Sequence, residues 1–84
     1  MVMIVYGWAK LKNETENQMT IGYSIGENKD CDGVLVYNKI SKAINAEALS
    51  KKTNLLVLDW FICPLRYRIK LGMELNKLYM IMTG

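Results

Sequence analysis

Histidine is absent from this chain of 84 residues, and with it much of the side-chain chemistry on which enzymes depend. Without an imidazole, the commonest general base and the usual partner of a nucleophilic cysteine are both missing. The sequence also lacks a pair of carboxylates arranged for acid–base catalysis, a glycine-rich phosphate loop and a complete set of metal ligands. We therefore expect a protein that is not an enzyme and that has no catalytic residues, no bound metal and no cofactor.

Cysteine is scarce, with only Cys31 and Cys63 present. Small secreted domains that depend on disulfides usually carry four or more cysteines, so a disulfide scaffold is excluded. Cys31 lies between Asp30 and Asp32, whose charges disfavour a thiolate, and Cys63 lies in the most apolar segment, where we expect a buried, inert thiol. One bridge between the two is an alternative, but we favour two reduced thiols.

Long hydrophobic runs are also missing, since a membrane span needs roughly 18 apolar residues. Asp59 interrupts the apolar stretch Asn54–Leu65. The apolar start, Met1–Ala9, is followed by Lys10 and Lys12, whereas a signal peptide carries its basic residues in front. We therefore expect a cytoplasmic protein without a membrane partner. Its abundance of Lys, Asn, Ile and Met is typical of an AT-rich bacterial or phage genome.

Length and composition favour a single domain, residues 1–84, and predict that part of its apolar surface stays exposed to solvent. A chain this short buries only about 60–65% of its unfolded surface, yet 51% of its residues are hydrophobic. Charge is uneven: residues 1–32 carry three lysines against five acids, and residues 33–84 carry eight basic residues against three acids. This asymmetry can orient a partner but falls short of the charge of a dedicated nucleic-acid binder.

Alternation of apolar and polar residues predicts several strands. Met19–Ile25 is the clearest, with its apolar side chains on one face. Val34–Tyr37 and Leu78–Met82 are short apolar strands, and Met1–Leu11 is apolar on both faces, as in a strand covered on both sides. Ala43–Leu49 fits either a hairpin strand or a short helix, and the short polar turn before it favours the strand.

Asn54–Leu71 has the spacing of a helix. Thr53 or Asn54 can cap its start, and Gly72 can end it. The apolar stripe at intervals of 3.6 residues consists of Leu55, Leu58, Phe61, Ile62, Leu65 and Ile69.

A strand is the alternative for the second half of this segment. Leu65–Leu71 also alternates strictly, and Pro64 is unfavourable inside either element. Because the stripe covers the whole segment, we favour a helix that is kinked or restarted at Pro64. The predicted fold is α+β, with an antiparallel sheet of four to five strands packed on one helix in the C-terminal half. The predicted core comprises Ile21, Tyr23, Ile25, Val36, Leu58, Ile62, Leu65 and Ile69.

A second apolar stripe lies opposite the first on the predicted helix. It contains Cys63 and four residues that we predict as an interface, which are Leu56, Trp60, Tyr67 and Leu71. One small sheet can cover only one of the two stripes, and Trp and Tyr are typical interface anchors. We therefore expect a homodimer that acts by protein–protein contact, with any further protein partner unidentified. The alternative is that the first strand or a loop covers this stripe as ordinary core.

The basic run Arg66, Arg68 and Lys70 indicates an alternative function, that of a nucleic-acid-binding accessory protein. In a strand all three would share one face, whereas in a helix Arg66 and Lys70 align and Arg68 turns away. A solvated rim that keeps an apolar helix soluble is the simpler interpretation, and we favour it.

The segment from Asn28 to Leu35 matches the first half of a calcium loop. Oxygen ligands occupy its first, third and fifth positions, at Asn28, Asp30 and Asp32. The match then fails, because Lys39 stands where a bidentate glutamate belongs. We therefore expect an acidic turn and no calcium site.

Overall fold

The computed structural model describes residues 4–51 and 53–83, and it has the α+β architecture that the sequence predicts. Five antiparallel strands form one sheet in the order β4-β3-β2-β1-β5, and one helix packs on it. The strands are β1 (Tyr6–Glu14), β2 (Gln18–Ile25), β3 (Gly33–Asn38), β4 (Ile44–Ala48) and β5 (Leu78–Met82), and the helix is α1 (Leu55–Leu71). Residues 1–3, at the start of the predicted strand Met1–Leu11, lie outside the described residues.

The sheet face that meets α1 carries the core. Registration across the sheet places Ala9 of β1 beside Tyr23 of β2, and Ile21 of β2 beside Leu35 of β3. All four are fully buried, because alternate residues of each strand point to the same face. From the helix, Leu58, Phe61 and Leu65 pack onto them.

Two glycines allow large aromatic rings to lie close to the sheet. A Cβ atom at Gly7 would collide with Phe61 and with the backbone of β2, and one at Gly33 would collide with the ring of Tyr23. With both glycines in place, the Tyr23 and Phe61 rings pack with their centroids 5.8 Å apart. This pair joins the centre of the sheet to the middle of the helix.

Helix α1 has the ends that its sequence predicts. The Asn54 side-chain oxygen accepts a hydrogen bond from the backbone N–H of Val57 at 2.9 Å, which caps the first turn. The N–H of Gly72 donates to the carbonyls of Arg68 and Ile69, and Gly72 has a φ of 101°, which favours glycine. The helix is continuous through Pro64, so the strand alternative for residues 65–71 is wrong.

One predicted core residue, Val36, and one residue of the predicted apolar stripe, Leu55, lie outside the core. Val36 is half-buried on the sheet face opposite α1, because Leu35 takes the core position of β3. Leu55 is 69% exposed, since it lies in the first turn of α1, before the helix reaches the sheet at Leu58. Of the other predicted core residues, Ile25, Ile62 and Ile69 are partly buried, and the rest are buried.

A hydrogen-bonded latch holds the connection between β4 and α1. The buried Ser50 donates from its backbone N–H to the Tyr23 hydroxyl at 3.0 Å and from its side chain to the Asp32 carboxylate at 2.6 Å. The backbone N–H of Lys51 donates to the other oxygen of Asp32. These bonds, the one from Ser50 foremost, lower the pKa of Asp32, because they favour its charged form.

Within residues 4–51 and 53–83, no helix combines the length and the apolar character needed to cross a membrane.

Candidate functional site

The backbone of α1 comes closest to β5 and β1, while Phe61 reaches the central strand β2 through Tyr23. Its two flanks are therefore in different surroundings. One flank lies along β5, the edge strand, and the other faces the uncovered end of the sheet where β3 and β4 are joined. The two flanks also differ in chemistry, since one is apolar and the other is basic.

The flank along β5 exposes a set of apolar residues, which we call the apolar flank. It comprises Leu56, Trp60, Cys63, Tyr67 and Leu71. The four residues predicted as an interface belong to it, with exposed fractions of 62% for Leu56, 46% for Trp60, 64% for Tyr67 and 58% for Leu71. In the described chain these side chains are therefore not covered as ordinary core.

Strand β5 extends the apolar flank onto the sheet. Met80 and Met82 alternate with the buried Ile81, so their side chains point to the sheet face away from α1, and each is more than half exposed. A groove of about 590 Å³ lies between helix and strand, with Asp59, Trp60 and Cys63 on the helix side and Met82 on the strand side, so one carboxylate borders an otherwise apolar groove. A smaller groove continues along the strand past Tyr67 to Met80. Together these residues form an apolar surface along this edge of the protein.

The outer edge of β5 offers unpaired backbone groups. Thr83 donates its backbone N–H to Val5, so residues at odd positions of β5 turn their hydrogen-bonding groups towards β1. The N–H and C=O groups of Leu78, Met80 and Met82 consequently point outwards. Among the described residues, no strand pairs with β5 on that side.

Helix geometry separates the three predicted nucleic-acid residues. Arg68 turns towards β5, and its guanidinium carbon lies 4.7 Å from the centroid of the Tyr79 ring. Arg66 and Lys70 lie on the opposite flank of α1. The three cations therefore do not form one surface, and this separation is what the favoured helix prediction implied.

Arg66 and Lys70 instead meet two lysines from the β3–β4 turn, which sequence reasoning did not find. Lys39 and Lys42 complete a group of four cations around a cleft of about 630 Å³, which we call the basic cleft. Its floor is made of Met19, Tyr37 and Ile69. The hairpin itself could have indicated this group, because the turn that follows β3 places Lys39 and Lys42 at the end of the sheet nearest this flank of the helix.

The two cysteines lie in environments opposite to those that the sequence around them suggests: the one in the apolar segment is exposed, and the one in the polar loop is buried. Cys63 is exposed on the apolar flank, so the prediction of a buried thiol is wrong. Its helix is apolar on several sides, and Phe61 and Leu65 take the positions against the sheet. Cys31 is buried, because its loop folds onto Gly22 on the sheet face opposite α1. Burial is the largest cause that raises the pKa of Cys31, and the charge of Asp32 adds to it.

The residues of the partial calcium motif serve the loop itself. Asn28 accepts a hydrogen bond from the backbone N–H of Asp30 in a local turn, while Asp32 belongs to the latch with Ser50. Elsewhere in the described chain, no three His, Cys, Asp or Glu side chains come close enough together to hold a metal ion.

Comparisons with protein-family models, with curated proteins and with solved structures give no match for this chain. Its function must be inferred from the two flanks of α1.

Proposed function

We propose that the protein acts through protein–protein contact and that its first partner is a second copy of itself, joined at the outer edge of β5. One observation carries the proposal: an uncharged edge strand with outward backbone groups lies directly beside the exposed apolar flank of α1. A strand edge and an apolar surface that lie side by side can be covered by one partner.

Two-fold symmetry fits this edge. In a register that places Ile81 opposite its own copy, Met80 of each subunit pairs with Met82 of the other. Both residues have outward N–H and C=O groups, so each pair exchanges two hydrogen bonds. The result is a continuous antiparallel sheet of ten strands, with both helices on the same face.

The helices then meet along their apolar flanks. Trp60 lies near Met82 and Arg68 lies over Tyr79, so α1 runs opposite to β5, and Pro64, midway between Trp60 and Arg68, lies beside Ile81. A helix above the β1–β5 pair is about 5 Å from the two-fold axis, which brings the two helices to about 10 Å, a normal packing distance. The symmetry places Trp60 of one copy near Tyr67 and Arg68 of the other.

The homodimer is tested by measuring solution mass over a dilution series with light scattering and sedimentation. We expect a dimer that dissociates in Trp60→Asp, because the charge would be placed inside the helix–helix contact. Ile40→Asp is the matched control: Ile40 is 77% exposed on the β3–β4 turn, away from β5, and its substitution should leave the dimer intact.

Wild-type protein that stays a monomer at about 100 μM would contradict the proposal, because the dimer would then be too weak to count as a stable interface. Equal dissociation in both variants would show that the apolar flank has no special part in the contact.

A further inference from the structure

We infer that the basic cleft binds the phosphate group of a nucleotide, either as a free nucleotide or as part of a nucleic-acid strand. The cleft lies on the flank of α1 away from β5, so this inference does not depend on the proposed dimer. In such a dimer both clefts would face away from the two-fold axis and stay open.

The first step of the argument is charge. Lys39, Lys42, Arg66 and Lys70 come from two separate elements and surround one opening. In the described part of the chain, Glu14 is the one carboxylate paired with any of the four, through Lys39. Cations with so few matching acids repel one another, and a bound phosphate relieves that repulsion, since it carries one negative charge in a nucleic-acid strand and nearly two in a free nucleotide.

The second step is rigidity, because a site that is already ordered loses less entropy on binding. The Asn38 side chain accepts hydrogen bonds from the backbone of Ile40 and Ser41, which fixes the β3–β4 turn. Arg66 donates from its guanidinium to the carbonyl of Lys42 at 2.6 Å, which ties that turn to the helix. The Arg66 guanidinium retains other N–H donors that can contact a phosphate oxygen.

The third step is the floor of the cleft. Beneath the charged rim lie the ring of Tyr37 and the apolar side chains of Met19 and Ile69. Aromatic and apolar surface of this kind suits the flat face of a nucleic-acid base. The volume, about 630 Å³, is in the range of small-molecule sites and exceeds what an inorganic ion needs.

The test is isothermal titration of the wild-type protein with five probes: adenosine monophosphate, a short single-stranded oligothymidylate, inorganic phosphate, adenosine and an oligoglutamate peptide. We expect the nucleotide, the oligonucleotide or both to bind more tightly than phosphate or adenosine, and to weaken as salt is raised. Binding of the mononucleotide identifies a free nucleotide as the source of the phosphate, and binding of the oligonucleotide alone identifies a strand.

Lys70→Glu should weaken this binding at least about tenfold, because it reverses one of four cations around the phosphate. Lys51→Glu is the matched control: Lys51 is an exposed lysine outside the cleft, and the charge change is the same. Circular dichroism of both variants confirms that each is folded.

Three results would overturn the inference. The first is no binding of either phosphorylated probe at about 1 mM. The second is inorganic phosphate binding as tightly as the nucleotide, or an oligoglutamate peptide binding more tightly, which would remove the role of the base. The third is an equal loss of affinity in Lys51→Glu, which would show that binding depends on the net charge of the protein and not on the cleft.

Discussion

Strands β4 and β5 are the two edges of one antiparallel sheet, but they protect their outer hydrogen-bonding groups differently. The β3–β4 pairing is irregular between Val34 and Leu35, and β4 carries Glu47. Bulges and charges are the usual means by which proteins keep an edge from pairing with another chain. The pairing of β5 with β1 is regular, and Leu78–Met82 contains no charged residue.

The surfaces next to the two edge strands also differ. Beside β5 lies the apolar flank of α1, while the end of the sheet near β4 carries the basic cleft. An edge with open hydrogen bonds and apolar neighbours suits a permanent protein contact. An edge strand protected from pairing, next to four cations, suits reversible binding of an anionic ligand. The comparison therefore predicts two independent surfaces on one small fold.

The largest expected effect comes from removing the support that both surfaces share. Phe61 is fully buried between α1 and the sheet, so Phe61→Ala should lower the free energy of unfolding by about 3–5 kcal/mol. Urea denaturation followed by circular dichroism measures the change. The control is Leu55→Ala in the same helix, where an exposed side chain should cost at most about 0.5 kcal/mol. Equal losses at the two positions would contradict the packing of α1 described here.

The next effect separates the two edges. Met80→Lys places a charge beside the two-fold axis of the proposed dimer and should weaken association by about tenfold or more. Asn45→Lys makes the same change on β4 and should leave association unchanged. Sedimentation equilibrium of the two variants compares the edges directly.

Amide hydrogen exchange sharpens this comparison without substitution. In the wild-type protein, the outward N–H groups of Met80 and Met82 should become more protected as concentration rises, while the amides of β4 should not change. Concentration-dependent protection on β4 instead would mean that the wrong edge has been assigned to the contact.

Local pattern predicted the elements well because each has its own period and its own end signals. The 3.6-residue stripe and the caps at Asn54 and Gly72 were enough to predict α1. The face of β3 was not predictable in this way, because Val34–Tyr37 is apolar at every position and alternation carries no information there. For this reason the sequence pattern predicts Val36 in the core position that Leu35 takes in the structure.

The surfaces depend on where α1 lies on the sheet, which no local pattern specifies. A helix that is apolar on several sides does not reveal which side meets the sheet, and so Cys63 was wrongly expected to be buried. The basic cleft was missed for a related reason. Lys39 and Lys42 are distant from Arg66 and Lys70 in sequence, and only the packing of the helix on the sheet, where Arg66 reaches the carbonyl of Lys42, brings the two pairs together.

The smallest expected effect comes from the latch, which lies outside both surfaces. Hydrogen bonds from Ser50 and Lys51 lower the pKa of Asp32 below its ordinary value of 3.8. The ionised carboxylate therefore stabilises the fold above that value, and the contribution is lost as the pH falls through the lower pKa of the folded state. Asp32→Asn should reduce stability at neutral pH by less than about 1 kcal/mol, because the site is exposed. The difference from wild type should shrink below about pH 4. Asp30→Asn removes the same charge two residues away, outside the latch, and is the matched control. Thermal denaturation of the three proteins across this pH range measures the effect, and a difference between wild type and Asp32→Asn that grows on acidification would rule out the latch as its cause.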